Sequence, residues 1–227
     1  MKICIVVAAH NEEETIAGVI DDLHNHNYHN IVVVDDHSTD KTEMIARTKG
    51  ALVIHPINRG QGSALKFGNN FALINNFGII VHFDGDGQMQ AKDIKDMIDP
   101  IVYNEAEITI GSRFMGKEPE NMPRSKKIIL YLGKLWLRMY GVRLTDSQCG
   151  FRAMSNLAAH NIRITHDGME HASEILIETF SKKIPHKEIP VSIKYTAYSQ
   201  AHSHHGNFQF FKVIKLAFNV MWGRVFK

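Results

Sequence analysis

The sequence predicts an α/β fold built on a mainly parallel sheet flanked by helices, and three observations carry that prediction. Short β-branched runs alternate with stretches of helical period through the first half of the chain; polar or acidic residues follow those runs at once; and the rhythm changes near residue 115. Strands are predicted near 3–8, 31–36, 51–55, 78–84 and 106–112, and amphipathic helices near 12–25, 40–49, 63–76 and 92–103. Such alternation produces right-handed βαβ units and therefore parallel neighbours.

The first run, Ile3 to Val7, enters Asn11-Glu12-Glu13-Glu14 too soon to be the core of a signal peptide and reads as a buried strand. Ile16, Val19, Ile20 and Leu23 then recur at helical spacing, with Asn11 and Glu14 as a capping pair in front of them. Pro100 is expected to bend or restart the fourth helix. Beyond 115 come a Pro-containing polar loop (116–124), a basic amphipathic segment (125–140), a polar turn (145–150), a helix near 171–182, a strand near 187–195 and a terminal helix from about 207. The reading is one domain over 1–227, with a nucleotide half (1–114) and an acceptor half (115–227).

Composition narrows the class. With 44% hydrophobic and 22% charged residues among 227, the chain suits a packed globular enzyme and not a disordered or fibrous protein. A net charge of +2 gives no argument for nucleic acid as a partner. Cys4 and Cys149 are the only cysteines, so a disulfide scaffold is not expected and a reducing cytoplasm is the expected setting. No run approaches the roughly 18 apolar residues of a spanning helix, so any membrane contact is expected to be peripheral, at the inner face.

In an open parallel sheet, ligands bind outside the carboxyl ends of the strands. Here those ends read Ala8-Ala9-His10-Asn11-Glu12, Asp35-Asp36-His37-Ser38 and Asp84-Gly85-Asp86-Gly87-Gln88. Two aspartates flanking one glycine can face a hard divalent cation, Mg2+ or Mn2+, while the glycine permits a tight turn and the close approach of a diphosphate. An acidic turn without a ligand is the plain alternative, which the neighbouring carboxylates disfavour. Asp35 and Asp36 can accept hydrogen bonds from a ribose or a base, or cap the segment that follows. Asn58-Arg59-Gly60-Gln61-Gly62 sets a guanidinium beside two glycines before a helix, suited to a phosphate or to locking the acidic cluster. Gly111-Ser112-Arg113 offers a further cation on the same rim.

Taken in order, His10-Asn11-Glu12-Glu13, Val33-Val34-Asp35-Asp36-His37-Ser38-Thr39-Asp40, Asn58-Arg59-Gly60, Asp84-Gly85-Asp86-Gly87-Gln88, Gly111-Ser112-Arg113-Phe114 and Asp146-Ser147-Gln148-Cys149-Gly150-Phe151-Arg152 resemble the inverting family 2 glycosyltransferases of GT-A fold, in the branch of dolichyl-phosphate mannose synthase. The resemblance implies Ala8, His10, Glu12, Asp35, Asp36, Arg59 and Arg113 around a nucleotide-sugar donor carrying UDP, GDP or dTDP. It further implies Asp84, Gly85, Asp86 and Gln88 around the metal and diphosphate, and Arg124, Ser125 and Gln148 toward the acceptor. The acceptor is a polyprenyl phosphate, which needs no general base, or a glycan hydroxyl, for which Asp146 and Glu170 are candidate bases with Glu174 behind them. Three positions depart from the family pattern: Ala8 stands where proline is usual, His10 where tyrosine is usual, and Gln61 where a basic residue often stands.

Other readings fit less of the chain. A Rossmann dehydrogenase needs glycines where Asn11-Glu12-Glu13-Glu14 stands, and a nucleotidyltransferase needs a glycine-rich basic loop after the first strand. A phospho-receiver leaves about the last hundred residues and the arginine motifs without a role, while a catalytically silent relative stays open. Segments 125–140 and 208–227 interleave Lys and Arg with large apolar residues, so they suit the headgroup layer of a membrane, the protein core, or a homodimer interface. His202, His204 and His205 read as a solvated loop, where Tyr195, Tyr198, Ser199 and His202 are candidates to close over the donor.

Overall fold

The computed structural model describes residues 1–115, 134–135 and 137–194. The expectations for Arg124, Ser125, the loop 195–205 and the terminal helix, and most of those for the basic segment 125–140, lie outside them. The elements run β1 (Ile3–Ala9), α1 (Ile16–Asn25), β2 (Ile31–Asp35), α2 (Thr42–Thr48), β3 (Leu52–Ile54), α3 (Gln61–Ile74), β4 (Ile79–Asp84), α4 (Ile94–Val102), β5 (Ile108–Ser112), β6 (Arg152–Ser155), α5 (Asn156–Asn161), α6 (His171–Ser181) and β7 (His186–Pro190). One sheet holds all seven strands in the order β3-β2-β1-β4-β6-β5-β7. Every pairing is parallel except those of β6, which runs antiparallel between β4 and β5.

Both faces of the sheet are covered, which is why its central strands are apolar throughout and do not alternate. Ile5, Val7 and Ala9 of β1 and Ile79, Val81 and Phe83 of β4 pack with α1 and α4. Their neighbours Cys4, Val6, Ala8 and Ile80 turn to the other face, under α3, α5 and α6. Leu137 is fully buried in that second core, so at least this part of the basic amphipathic segment packs on protein, while Leu135 and Met139 are exposed.

Three local expectations are corrected. Asn11 does not cap α1: the helix starts at Ile16 after Thr15, and Asn11 adopts a left-handed φ of 55° and turns its side-chain oxygen to the Thr39 amide at 2.8 Å. Pro100 does not restart α4, which runs through it to Val102; in the last turn a proline removes one hydrogen bond shortly before the helix stops. The last strand ends at Pro190 instead of reaching 195. The sequence reading also missed β6 and α5, because four residues beginning with arginine show no strand pattern.

Candidate active site

β1 is flanked on one side by β2 and β3 and on the other by β4 and the rest of the sheet. At such a switch point the connections leave toward opposite faces and open a crevice beyond the strand ends. A pocket occupies that crevice, floored by Ala8, Ala9 and Gly85 and walled by Glu12, Asp36, Asp84 and Asp86. His10 stands on its rim, Gln61 and Ala64 enter from the first turn of α3, and Met169 enters from the loop before α6.

Backbone packing fixes the acidic turn. The Gly85 amide donates to the Ala8 carbonyl at 3.0 Å, and a Cβ on Gly85 would stand 3.1 Å from that of Ala9. The glycine thus lets the turn lie against β1. Gly150 does the same for Asp84, since a Cβ there would stand 3.0 Å from a carboxylate oxygen. Asp84 also accepts from Gln61 Nε2 at 2.8 Å, and Asp86 accepts from the Gln88 amide at 3.0 Å and from its side chain at 2.7 Å. Desolvation, with the charge of Asp86 as the second cause, pushes the Asp84 carboxyl up to about 7, against the opposing pull of Arg152. Two crowded carboxylates in a cleft are the donor chemistry a hard divalent cation requires, so the residues present fit one.

At the other end of the pocket Asp36 accepts from the Gly60 amide at 2.7 Å, and its own carbonyl faces His10 Nδ1 at 2.7 Å. Glu12 accepts from the Thr15 hydroxyl at 2.9 Å. Asp35 is buried and absent from the lining: one oxygen serves the Ser38 amide at 3.0 Å, and the other faces His55 at 3.8 Å. With Glu43, Asp35 and His55 form the one cluster of three metal-ligating side chains found among the described residues, their atoms within 4.8 Å of one another. Glu43 is also paired with Arg47 at 2.9 Å, so ion pairing already accounts for this cluster.

Of the two roles expected for the Arg-Gly motif, a phosphate contact or locking the acidic cluster, the second falls to groups other than the guanidinium. Arg59 is exposed and makes no ion pair among the described residues; Gln61 and the Gly60 amide engage the acidic groups instead. The glycines seat a loop: a Cβ on Gly60 would fall 2.2 Å from the Asp167 carbonyl oxygen, and one on Gly62 2.2 Å from that of His166.

Beyond the end of β5, Arg113 and Asp146 form a buried pair, with Nε donating at 2.6 Å, Nη2 at 2.8 Å and the backbone amide at 3.1 Å. Burial alone would raise the Asp146 carboxyl, but the hydrogen bonds and charge of Arg113 outweigh it and hold it below the ordinary value. Glu188 fixes the turn beside this pair, accepting from the Thr145 amide at 2.7 Å and the Asp146 amide at 3.1 Å. The amide of half-buried Gln148 donates to Asp146 at 3.1 Å. Glu170 immediately precedes α6 and is not in the pocket lining. Glu174 is turned away, accepting from the Thr165 amide at 2.9 Å and the His166 amide at 3.2 Å. Ala64 and Met169 were missed as lining residues: neither carries a chemical signal, and each is brought in by packing.

The crevice at the switch point of this α/β sheet is thus walled by acids at the ends of β1, β2 and β4. The family model described as Glycosyl transferase family 2 matches residues 4–166, and the chain belongs to that family and is a glycosyltransferase. It is 40% identical over 205 residues to an uncharacterized protein of Methanocaldococcus jannaschii, covering 88% of this chain and 84% of that protein. It is 35% identical over 221 residues to the UDP-N-acetylglucosamine--dolichyl-phosphate N-acetylglucosaminyltransferase of Methanococcus voltae, covering 88% of each. Among solved structures, glucosyl-3-phosphoglycerate synthase of Mycobacterium tuberculosis with phosphoglyceric acid superposes with a TM-score of 0.74 at 19% identity, over 96% of this chain and 79% of that one. The same enzyme with Mn2+, UDP-glucose and phosphoglyceric acid gives 0.70 at 20% identity, over 94% and 77%. These structures share the fold with this chain.

Proposed function

We propose that the chain transfers a sugar, with inversion, from a nucleoside-diphosphate-sugar to a polyprenyl phosphate, with Mg2+ or Mn2+ in the acidic crevice. The observation that carries this reading is the meeting of Asp84 and Asp86 with Asp36 and Glu12 in one pocket at the switch point. Asp36 and Glu12, with the backbone at Ala8 and His10, would hold the nucleoside, and Asp84, Asp86 and Gln88 would hold the metal. The bound cation would screen the diphosphate and stabilise its charge as leaving group. Arg113, kept in place by Asp146, would face the phosphates or the acceptor. The acceptor oxygen attacks the anomeric carbon in line, and the bond from that carbon to the diphosphate oxygen breaks.

The state of the candidate bases favours a phosphate acceptor. Asp146 is engaged by Arg113 and Glu174 by Thr165 and His166. A phosphate is already anionic and needs neither, whereas a glycan hydroxyl would need Glu170. The relative from Methanococcus voltae, which its name describes as acting on dolichyl phosphate, points the same way. No helix among the described residues is long and apolar enough to cross a membrane.

The test is release of nucleoside diphosphate from UDP-, GDP- and dTDP-sugars with Mg2+ or Mn2+ and a polyprenyl phosphate, comparing the native chain with Asp86→Ala. Metal-dependent turnover of one donor, lost in the variant, is expected. Turnover only with a glycan would move the acceptor to a hydroxyl, and donor binding that ignores metal would remove the metal assignment.

A further inference from the structure

We infer that Met169 is a specificity-determining residue, the apolar wall against which the ring of the transferred sugar packs. The inference rests on the reading of the pocket as a nucleotide-sugar site.

Of the eleven described residues that line the pocket, ten come from the first 86 positions of the chain, and these are polar or no larger than alanine on their apolar side. Met169 is the eleventh, and among the described residues it is the large apolar side chain of the pocket and the contribution from the acceptor half. It is 42% exposed in a cleft, so a large part of its surface is available for a ligand to cover. Charged and hydrogen-bonding groups of the crevice suit the nucleoside and the diphosphate. A pyranose ring also presents a C–H face, which is matched by a polarizable apolar surface such as a thioether.

The placement of Met169 is built by the backbone around it. The loop in front of it sits on the glycine seats of α3, where the Ser63 amide donates to the Asp167 carbonyl at 3.1 Å and Asn58 Nδ2 to the Asp167 carboxylate at 2.9 Å. Glu174 holds the amides of Thr165 and His166, and the Met169 carbonyl accepts from the Ala172 amide at 3.2 Å as α6 begins. The side chain is thus carried by a loop anchored at both ends and lines the same pocket as Gln61, the residue that donates to Asp84. A group leaving the donor for an acceptor has to lie where the two halves of the chain face each other, and Met169 stands at that border.

The experiment is calorimetric titration of the native chain, Met169→Leu, Met169→Ala and Met169→Gln, each with UDP and with UDP-N-acetylglucosamine in the presence of Mn2+, with GDP and GDP-mannose and with dTDP and dTDP-glucose as the parallel pairs. For the pair that binds, Met169→Ala and Met169→Gln are expected to weaken the nucleotide-sugar by about tenfold, the scale of an apolar pocket contact. Affinity for the bare nucleoside diphosphate should stay within twofold, and Met169→Leu should behave like the native chain. A parallel loss for nucleotide and nucleotide-sugar would place Met169 over the nucleotide and overturn the inference, and so would unchanged affinity for both. If the native chain binds none of the three pairs, the donor reading falls and this inference falls with it; binding of both ligands of a pair by the native chain, with no difference among the variants, removes the inference alone.

Discussion

At the residue scale, the crevice places charge where folding alone would not. Asp84 shares a cleft with Asp86, and its carboxyl is pushed up to about 7. Asp84→Asn should therefore raise the melting temperature in the presence of a chelator while abolishing metal-dependent turnover, a stability–function trade-off read by calorimetry and by product release. Asp146 shows the opposite case. Arg113 holds its carboxyl below the ordinary value, so its contribution to stability is present above the unfolded-state value near 3.8 and is lost as pH falls through the lower folded value. Arg113→Met should leave a buried, uncompensated carboxylate and cost about 3–5 kcal/mol at neutral pH. In acid unfolding the difference between native and variant should shrink as Asp146 becomes protonated, and a difference that grows below pH 4 would contradict this account. The histidines His82 and His171 are buried and pushed to about 3 and about 4 by desolvation and by Arg152, so they stay neutral at physiological pH.

At the element scale, the first turn of α3 is a joint. Gly60, at φ 118°, and Gly62 meet the 166–168 loop so closely that a Cβ on either would fall 2.2 Å from a carbonyl oxygen. Gly62→Ala has no left-handed φ to excuse, so its effect isolates the contact. It should destabilise the chain by about 2 kcal/mol or more and displace Met169, seen as faster proteolysis or amide exchange in 163–170. An unchanged melting temperature would mean the loop yields freely. A second joint is Glu188 on edge strand β7, whose carboxylate takes the amides of Thr145 and Asp146. Glu188→Gln, which loses the charge on these bonds, should reduce transfer more than donor binding, because the turn it holds carries Asp146 and through it Arg113.

At the scale of the whole molecule, the sheet brings together carboxylates from residues 12, 36, 84 and 86, and the α3 joint ties that half to α6. A ligand that binds only the folded crevice should stabilise all of it. A nucleoside diphosphate with Mn2+ at one hundred times its dissociation constant should add about 2.7 kcal/mol. The melting temperature should rise by several degrees, and Asp86→Ala should remove most of that rise. A rise of equal size in the variant would separate nucleotide binding from the acidic turn.

Much of this architecture is legible in local pattern. The five leading strands, the helices between them and the acids at the strand ends follow from hydrophobic period and from where polar residues interrupt it, both properties of a few consecutive residues. The six motifs in order identify the family for the same reason, since each is a short local string. What the sequence by itself did not determine is which of those polar residues face the ligand and which serve the scaffold. Asp35 and Asp36 are adjacent and chemically alike, yet one is buried against Ser38 and His55 while the other lines the pocket. Glu174 and Glu188 are carboxylates whose work is to hold backbone amides, and Met169 carries no chemical signal at all. Strand β6 lies between β4 and β5 although it follows both in sequence. These outcomes depend on contacts between residues up to about a hundred positions apart, such as Asn58 with Asp167, which no local period or motif encodes and only tertiary packing decides.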